Sequence, residues 1–343
     1  MGERRLSFRS LKPTLGIVET SKMAFRVGAA PTALTDQSAP TETLLTVPSA
    51  PMNRIGTMPP TAGAALPALG GRTTRLVVML ATYNEASCIS ESIRRVAAIV
   101  PDLISHGIDV RLLVVDDCSP DGTADLAVAA AHRYGLDIEV SSAPRSGLGR
   151  AYLRGFAVIV EQGWADTIVT LDADGQHDPA LIPTLVWERD RLGVELMVGS
   201  RWVEGGQVIG LSGARKAMSR FGNRLFSIVT GTYGVRDATT SYRVFSTELA
   251  AQFDPGDLSV SGYSFFSAFV GVAVASGRRV AEHPIVFASR TSGESKLQVR
   301  DLVQFAANLP ALRRSLQATR RVRLEHLRLQ QDQQQDHMAV TAP

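Results

Sequence analysis

From residue 75 onward the chain alternates short β-rich runs with helical spans, and this alternation constrains the fold more than any other feature. The runs cover residues 76–81, 110–115, 138–140, 167–171, 196–199 and 280–287. Between them, Ile89, Ile93, Val96, Ala97 and Val100 recur at helical spacing on one face. Residues 121–133 are rich in alanine, and residues 178–192 open on a cap-like Asp-Pro. Strand and helix in turn predict an α/β domain with a mainly parallel sheet flanked by helices. Ligands of such sheets bind beyond the carboxyl ends of the strands. The candidate site is therefore made of the residues directly after each run.

Those residues are acidic. The first run leads into Thr82-Tyr83-Asn84-Glu85, and the second into Asp116-Asp117-Cys118-Ser119-Pro120-Asp121-Gly122-Thr123. The fourth leads into Asp172-Ala173-Asp174-Gly175-Gln176-His177, and the fifth into Gly199-Ser200-Arg201. Asn, Asp and Gly are also ordinary turn and cap residues. Four such ends on one edge are better explained by a shared ligand. Two close carboxylates repel unless a cation sits between them, so Asp172 and Asp174 call for a bound cation.

Two rival readings fail on spacing. A calcium loop opening at Asp117 would put Val128, not a glutamate, at its twelfth position, and a strand rather than a helix precedes it. An aspartyl-phosphate enzyme would explain Asp172-x-Asp174 alone and leave the Asp116-Asp117 turn without a purpose.

The first ~75 residues differ in kind. They are rich in Pro, Thr, Ala and Ser, with Phe8 and Phe25 as their only aromatics. Residues 1–74 are expected to form a disordered arm, made basic by Arg4, Arg5, Arg9, Lys12, Lys22 and Arg26. No stretch of it has the roughly 7–15 residue apolar core of a secretory signal. The longest apolar run elsewhere, residues 265–275, is far short of the ~20 needed to span a bilayer. Cys88 and Cys118 supply no disulfide framework, which suits a reducing cytosol. The net charge of +3 is modest and points to no nucleic acid partner.

A resemblance adds to this reading. In order, the chain carries Tyr83-Asn84-Glu85, Asp116-Asp117-x-Ser119-Pro120-Asp121-Gly122-Thr123, Arg145-x-x-Gly147-Leu148-Gly149-x-Ala151 and Asp172-Ala173-Asp174-x-Gln176-His177-x-Pro179. Then come Gly199-Ser200-Arg201, Asp237-x-Thr239, Tyr242-Arg243, Pro284-Ile285-x-Phe287 and Arg290-x-x-Gly293-x-Ser295-Lys296. Over residues 75–297 this resembles the family-2 glycosyltransferases, most closely the dolichol-phosphate (polyprenol-phosphate) mannose synthases. The Asp-Ala-Asp element alone marks a broad superfamily. The Ser-Pro-Asp-Gly-Thr turn, the Gly-Leu-Gly turn and the Arg…Ser-Lys ending in this order are more specific.

The resemblance implies a GT-A type fold for nucleotide-diphospho-sugar transfer, with the catalytic domain over residues 75–310. It implies a donor, GDP-mannose, an acceptor polyprenyl phosphate, and a divalent cofactor, Mg²⁺ or Mn²⁺. By the same resemblance Asp172, Asp174 and Gln176 hold the metal. Ala81, Tyr83, Glu85, Val115, Asp117, Asp172, Ala173 and Asp174 bind the donor. Arg201, Arg290 and Lys296 supply charge to the phosphates and join Asp174 as the catalytic set. A lipid phosphate is itself a charged nucleophile, so no general base is needed and direct attack inverts the sugar. His177 is then structural rather than catalytic.

Some positions depart from the family pattern. Ala81 stands where a proline is usual, and Phe266 and Ala268 replace a glutamine and a glutamate. Thr240-Ser241 replaces Ser-Gly before Tyr242. These changes leave open a relative using UDP-glucose or another nucleotide sugar, a polysaccharide-building enzyme, or a catalytically impaired binding protein. A sugar-1-phosphate nucleotidyltransferase would need a Gly-rich basic loop where Thr82-Tyr83-Asn84-Glu85 stands.

Residues 311–343 complete the picture. Between residues 311 and 329, Arg313, Arg314, Arg320, Arg321, Arg323 and Arg328 face Glu325 alone, and Leu309, Leu312, Leu316, Leu324 and Leu327 recur at helical spacing. A solvated helix, a helix docked on a partner and a helix lying on an anionic leaflet all fit this pattern. The stretch from Gln330 is expected to be disordered. The enzyme is expected at the cytoplasmic face of a membrane, held there by peripheral contact or by an anchoring partner.

Overall fold

The computed structural model describes residues 74–253, 264–288 and 299–341. Arg290, Lys296 and the basic arm before Thr74 lie outside the described residues.

Each of the first five β-rich runs is a strand, extended at one or both ends. They are β1 (Thr74–Thr82), β2 (Ile108–Asp116), β3 (Ile138–Ser142), β4 (Thr167–Asp172) and β5 (Leu196–Ser200). After a two-residue strand β6 (Gln207–Val208) comes β7 (Arg243–Ser246). The last run is broken at Ile285 into β8 (Val280–Pro284) and β9 (Val286–Phe287). The helices are α1 (Ile89–Ser105), α2 (Thr123–Tyr134), α3 (Leu148–Gln162), α4 (Ile182–Leu192), α5 (Gly213–Thr230), α6 (Thr247–Ala250), α7 (Ser264–Ala275) and α8 (Val299–Thr341).

Seven strands form one sheet in the order β3-β2-β1-β4-β7-β5-β8. Every pairing is parallel except those of β7, which lies antiparallel between β4 and β5. Four apolar residues on β1, Leu76, Val78, Met79 and Leu80, are fully buried, as a parallel strand covered on both faces requires. The core therefore has two layers. One joins Leu76, Val78 and Leu80 to Ile89, Ile93 and Val96 of α1. The other joins Val77 and Met79 to Phe156 of α3 and to Phe265 and Phe269 of α7. Helix α3 sits close to the sheet because it crosses at Gly155, where a Cβ would stand 2.4 Å from the Met79 sulfur.

The apolar stretch at residues 265–275 is thus a core helix. Phe265 and Phe266 are buried, so they form no exposed loop. No helix among the described residues is long and apolar enough to cross a membrane.

Helix α8 departs most from expectation. It runs from Val299 with Pro310 inside it, so the expected boundary at residue 311 falls within a continuous helix. It stays helical to Thr341, through the stretch from Gln330 that was expected to be disordered. Its leucines Leu309, Leu312 and Leu316 are buried in the same core as Phe156 and Phe269. They face the domain itself, so they are not the apolar face of a membrane-bound helix. Arg320 donates to the Thr230 and Gly231 carbonyls at 2.8 and 3.1 Å, satisfying the carboxyl end of α5. Beyond it Leu324 is 55% exposed.

Leu316→Ala is expected to cost about 2–5 kcal/mol of stability, as for a buried leucine. Leu324→Ala should stay within about 0.5 kcal/mol. Urea unfolding of the two variants checks this, and equal small effects would place the α8 leucines outside the core.

Candidate active site

The strand ends converge because the register is level. Thr82 of β1 stands opposite Asp116 of β2, and Ala81 lies between Val115 and Asp172 of its two neighbours. Tyr83, Asp117 and Ala173 therefore leave the sheet side by side.

The turn after β1 is held by the turn after β2. Three successive backbone N–H groups, those of Asn84, Glu85 and Ala86, donate to Ser119 Oγ, Thr123 Oγ1 and an Asp121 carboxylate oxygen at 3.0, 3.0 and 3.1 Å. The acceptors are themselves ordered. Ser119 Oγ donates to Asp116 at 2.6 Å, and Thr123 Oγ1 donates to Asp121 at 2.5 Å. Thr82 Oγ1 also donates to Asp116, at 2.8 Å. Asn84 and Cys118 take left-handed backbone angles, φ 55° and 48°, which such a tight pair of turns requires. The Ser-Pro-Asp-Gly-Thr segment is thus a clamp on Tyr83-Asn84-Glu85. Cys88 donates to a Glu85 carboxylate oxygen at 3.1 Å, and burial together with Glu85 pushes its thiol up to about 12.

Asp117 organises a third turn. One of its oxygens accepts from Arg154 at 3.1 Å, and the other accepts from the Gly147 and Ser146 N–H groups at 3.2 and 3.4 Å. This carboxylate thereby holds the Gly147-Leu148-Gly149 turn at the head of α3. That turn carries Arg145, whose guanidinium lies 3.9 Å from the Tyr83 ring centroid.

Asp174 is buried, whereas the Asp172 side chain is about one third exposed, at 36%. Asp174 accepts from the Gln176 N–H at 3.1 Å, and the Ala173 carbonyl accepts from Ser92 Oγ of α1 at 2.5 Å. The Gln176 side-chain amide donates to the Ala288 carbonyl at 2.9 Å, joining this turn to the end of β9. Among the described residues no group of three or more His, Cys, Asp and Glu side chains has metal-binding geometry. Two carboxylates with phosphate oxygens are nonetheless the donor set that Mg²⁺ or Mn²⁺ uses, so Asp172 and Asp174 fit the expected ion.

Arg201 carries an ion pair that the site-residue reading did not include. Its guanidinium donates to both Asp237 oxygens at 2.7 and 2.8 Å and to Thr239 Oγ1 at 2.8 Å. Burial raises the Asp237 carboxyl, but Arg201 outweighs it and holds the group below its ordinary value. Asp237 is positioned in turn by Glu282, which accepts the Arg236 and Asp237 N–H groups at 2.8 Å each. Burial pushes Glu282 up to about 7. Arg201 therefore reaches the strand ends already paired, as part of a buried network. The Asp237-x-Thr239 motif was the available signal for it.

His177 lies between the Tyr242 and Phe287 rings, with centroids 5.2 Å away on each side. Its Nδ1 accepts from the Asp172 N–H at 3.2 Å, which leaves the proton on Nε2. Burial first of all pushes its pKa down to about 4. This is a neutral structural ring. Phe266 and Ala268 are also structural. Both are buried, and Phe266 packs its ring 5.2 Å from the Arg243 guanidinium.

The family model described as glycosyl transferase family 2 matches residues 77–253. The chain belongs to that family. It is 34% identical over 223 residues to an undecaprenyl-phosphate mannosyltransferase of Micrococcus luteus, covering 65% of this chain and 87% of that protein. It is 34% identical over 235 residues to a polyprenol monophosphomannose synthase of Mycolicibacterium smegmatis, covering 67% and 84%. Among solved structures, mannosyl-3-phosphoglycerate synthase from Rubrobacter xylanophilus aligns with a TM-score of 0.50 at 20% identity, over 72% of this chain and 76% of that one. The family-2 glycosyltransferase fold is thus the GT-A type, with its carboxylates at the strand ends where a nucleotide-sugar enzyme needs them.

Unfolded, a histidine takes a proton near pH 6.5, whereas folded His177 does so only near pH 4. The unfolded chain then binds the extra proton, so stability falls as pH drops from 6.5 toward 4, by roughly 3 kcal/mol for this one group. His177→Gln should lose this component. Urea unfolding at pH 7 and pH 4.5 is expected to show the gap between native and variant narrowing in acid, and a constant gap would contradict a neutral buried ring.

Proposed function

We propose that this family-2 glycosyltransferase moves mannose from GDP-mannose to a polyprenyl phosphate, with inversion, giving polyprenyl-phosphate-mannose. The observation that carries the reading is the match to two mannosyltransferases with polyprenyl acceptors over 87% and 84% of their lengths. The geometry agrees with it. The reading of an impaired binding protein leaned on Phe266 and Ala268, and both are core residues.

In this reading Asp172 and Asp174 hold Mg²⁺ or Mn²⁺, with Gln176 beside them. The ion supplies positive charge to the departing diphosphate. Asp174, buried at the end of β4, keeps the ligand oxygens in place. The clamped turn at Tyr83-Asn84-Glu85, with Arg145 over Tyr83, takes the nucleoside. Ala81, Val115, Asp117 and Ala173 shape the floor on which it rests. Arg201 orients toward phosphate while Asp237 keeps its net charge low, and Arg290 and Lys296 meet the phosphates by the family pattern. The acceptor's own phosphate oxygen attacks the sugar carbon as the diphosphate leaves on the opposite side. No side chain needs to remove a proton. The acceptor implies work at a membrane surface, on its cytoplasmic face, through peripheral contact or a partner.

The purified protein, given polyprenyl phosphate and a panel of labelled nucleotide sugars, is expected to label the lipid from GDP-mannose alone. Label from UDP-glucose instead would replace the sugar, and no label from any donor would overturn the reading. Asp174→Ala should lower transfer by at least about a hundredfold, because such an ion contributes several kcal/mol of charge stabilisation. Chelator should act likewise and reversibly. Activity that persists in chelator would remove the metal from the mechanism.

A further inference from the structure

We propose that Glu282 is a positioning residue for the transfer reaction. Its carboxylate fixes the loop of residues 236–239, and through Asp237 that loop fixes the Arg201 guanidinium for phosphate. This rests on the reading that Arg201 meets phosphate, and it holds for any nucleotide-diphosphate sugar.

A row of paired residues crosses the sheet beneath the loop. Thr170 of β4 pairs with Arg243 of β7, Arg243 with Val198 of β5, and Val198 with Glu282 of β8. Residues paired across strands share a face, so a cation and an anion stand on either side of Val198. Both are buried, each only 2% exposed. Both hold the same loop. Arg243 donates to the Ala238 carbonyl at 2.9 Å, and Glu282 accepts the Arg236 and Asp237 N–H groups at 2.8 Å each. From α5, Asn223 Oδ1 accepts the Ala238 N–H at 2.8 Å. The loop backbone is thus held from three sides, and it presents Asp237 to Arg201 at 2.7 and 2.8 Å.

A neutral acceptor could take two N–H groups at less cost than a buried carboxylate. The charged groups around Glu282 do little to offset that cost. Arg236 is exposed, Asp237 is an anion already paired with Arg201, and Arg243 lies beyond Val198. Helix α5 buries only Asn223, Phe226 and Thr230 on this side. The next residue, His283, points to the other face and meets Glu188 at 2.7 Å. Burial therefore pushes Glu282 up to about 7, and Asp237 adds to the rise against the N–H groups and the Ser200 hydroxyl. Ionised, both oxygens accept charge-assisted bonds. Protonated, one oxygen becomes a donor, and the N–H facing it is held weakly.

Stability and activity then run in opposite directions. Unfolded, a glutamate loses its proton near pH 4.5, whereas folded Glu282 keeps it until about pH 7. Between those values the native state binds the extra proton, so stability falls as pH rises through the window. Over the upper part of the same window the grip on the loop tightens. An acceptor with a structural role only would move both together.

The test is a double-mutant cycle on the full chain, with Glu282→Gln, Arg201→Lys and the pair. It reads kcat and KM with polyprenyl phosphate and GDP-mannose at pH 6 and pH 8. It also reads the affinity for inorganic pyrophosphate with Mn²⁺ by calorimetry. Glu282→Gln is expected to lower kcat at pH 8 by about tenfold or more, because small misplacements near the reacting groups are costly. In the Arg201→Lys background the same change should cost less than about twofold, since both act through one guanidinium. The acceptor phosphate titrates near pH 6 as well, so the pH dependence is read as a difference. The native kcat should rise several-fold more between pH 6 and pH 8 than that of Glu282→Gln. Thermal melts should show the native protein losing more stability than the variant over the same range. If Glu282→Gln does not fold, Glu282→Asp, which keeps the charge on a shorter arm, replaces it in the cycle. Equal losses in both Arg201 backgrounds, or native kcat in the Glu282 variant at pH 8, would overturn the proposal. If no nucleotide sugar labels the lipid, the cycle is read on pyrophosphate affinity. A coupled loss there would sink the transfer reading and leave the positioning of Arg201 standing, whereas an additive or absent loss would overturn both.

Discussion

The level register of β1, β2 and β4 is the constraint on which the rest depends. Parallel strands pair at a fixed slant, and here Thr82, Asp116 and Asp172 all reach the same edge of the sheet. A one-residue slip would turn every side chain of a strand to the other face. Val77 and Met79 would leave one core layer, Leu76, Val78 and Leu80 the other, and the carboxylates would no longer meet. Burial on both faces therefore determines not only the fold but also where the acidic turns stand. A site made of loop ends inherits its precision from the sheet beneath it.

The turns are then secured by hydrogen bonds rather than by packing. Asp116 and Asp121 look like ligands in a one-dimensional reading, because they belong to an acidic cluster. In the fold they are acceptors for Ser119, Thr82, Thr123 and the Ala86 N–H. Asp117 does the same for the head of α3. Local polar side chains that bond backbone are the usual way to hold an irregular turn. The outcome is a division of labour between two acidic clusters. In the one after β2, Asp116 and Asp121 brace the turns, and the one after β4 has a buried carboxylate, Asp174, beside a partly open one, Asp172. Arg201 shows a related economy. A cation held by Asp237, itself held by Glu282, is positioned firmly and carries little net charge.

The sequence by itself determined the strands, the parallel α/β class and the edge at which chemistry gathers. Period-two and apolar runs, and the acidic or glycine-bearing residues after them, are local properties. Tyr83, Glu85, Asp172 and Asp174 could be named for that reason. Only the tertiary structure decided what each face meets. Residues 243–246 are too short a run to stand out, yet β7 lies between β4 and β5 and runs against them both. The α8 leucines and the exposed Met218, Phe221 and Ile228 of α5 follow the same spacing, and spacing reports which residues share a face but not what covers it. Packing against Phe156 and Phe269 made the first a piece of core. The second stays exposed, because α5 meets the domain through Asn223, Phe226 and Thr230 on its opposite side.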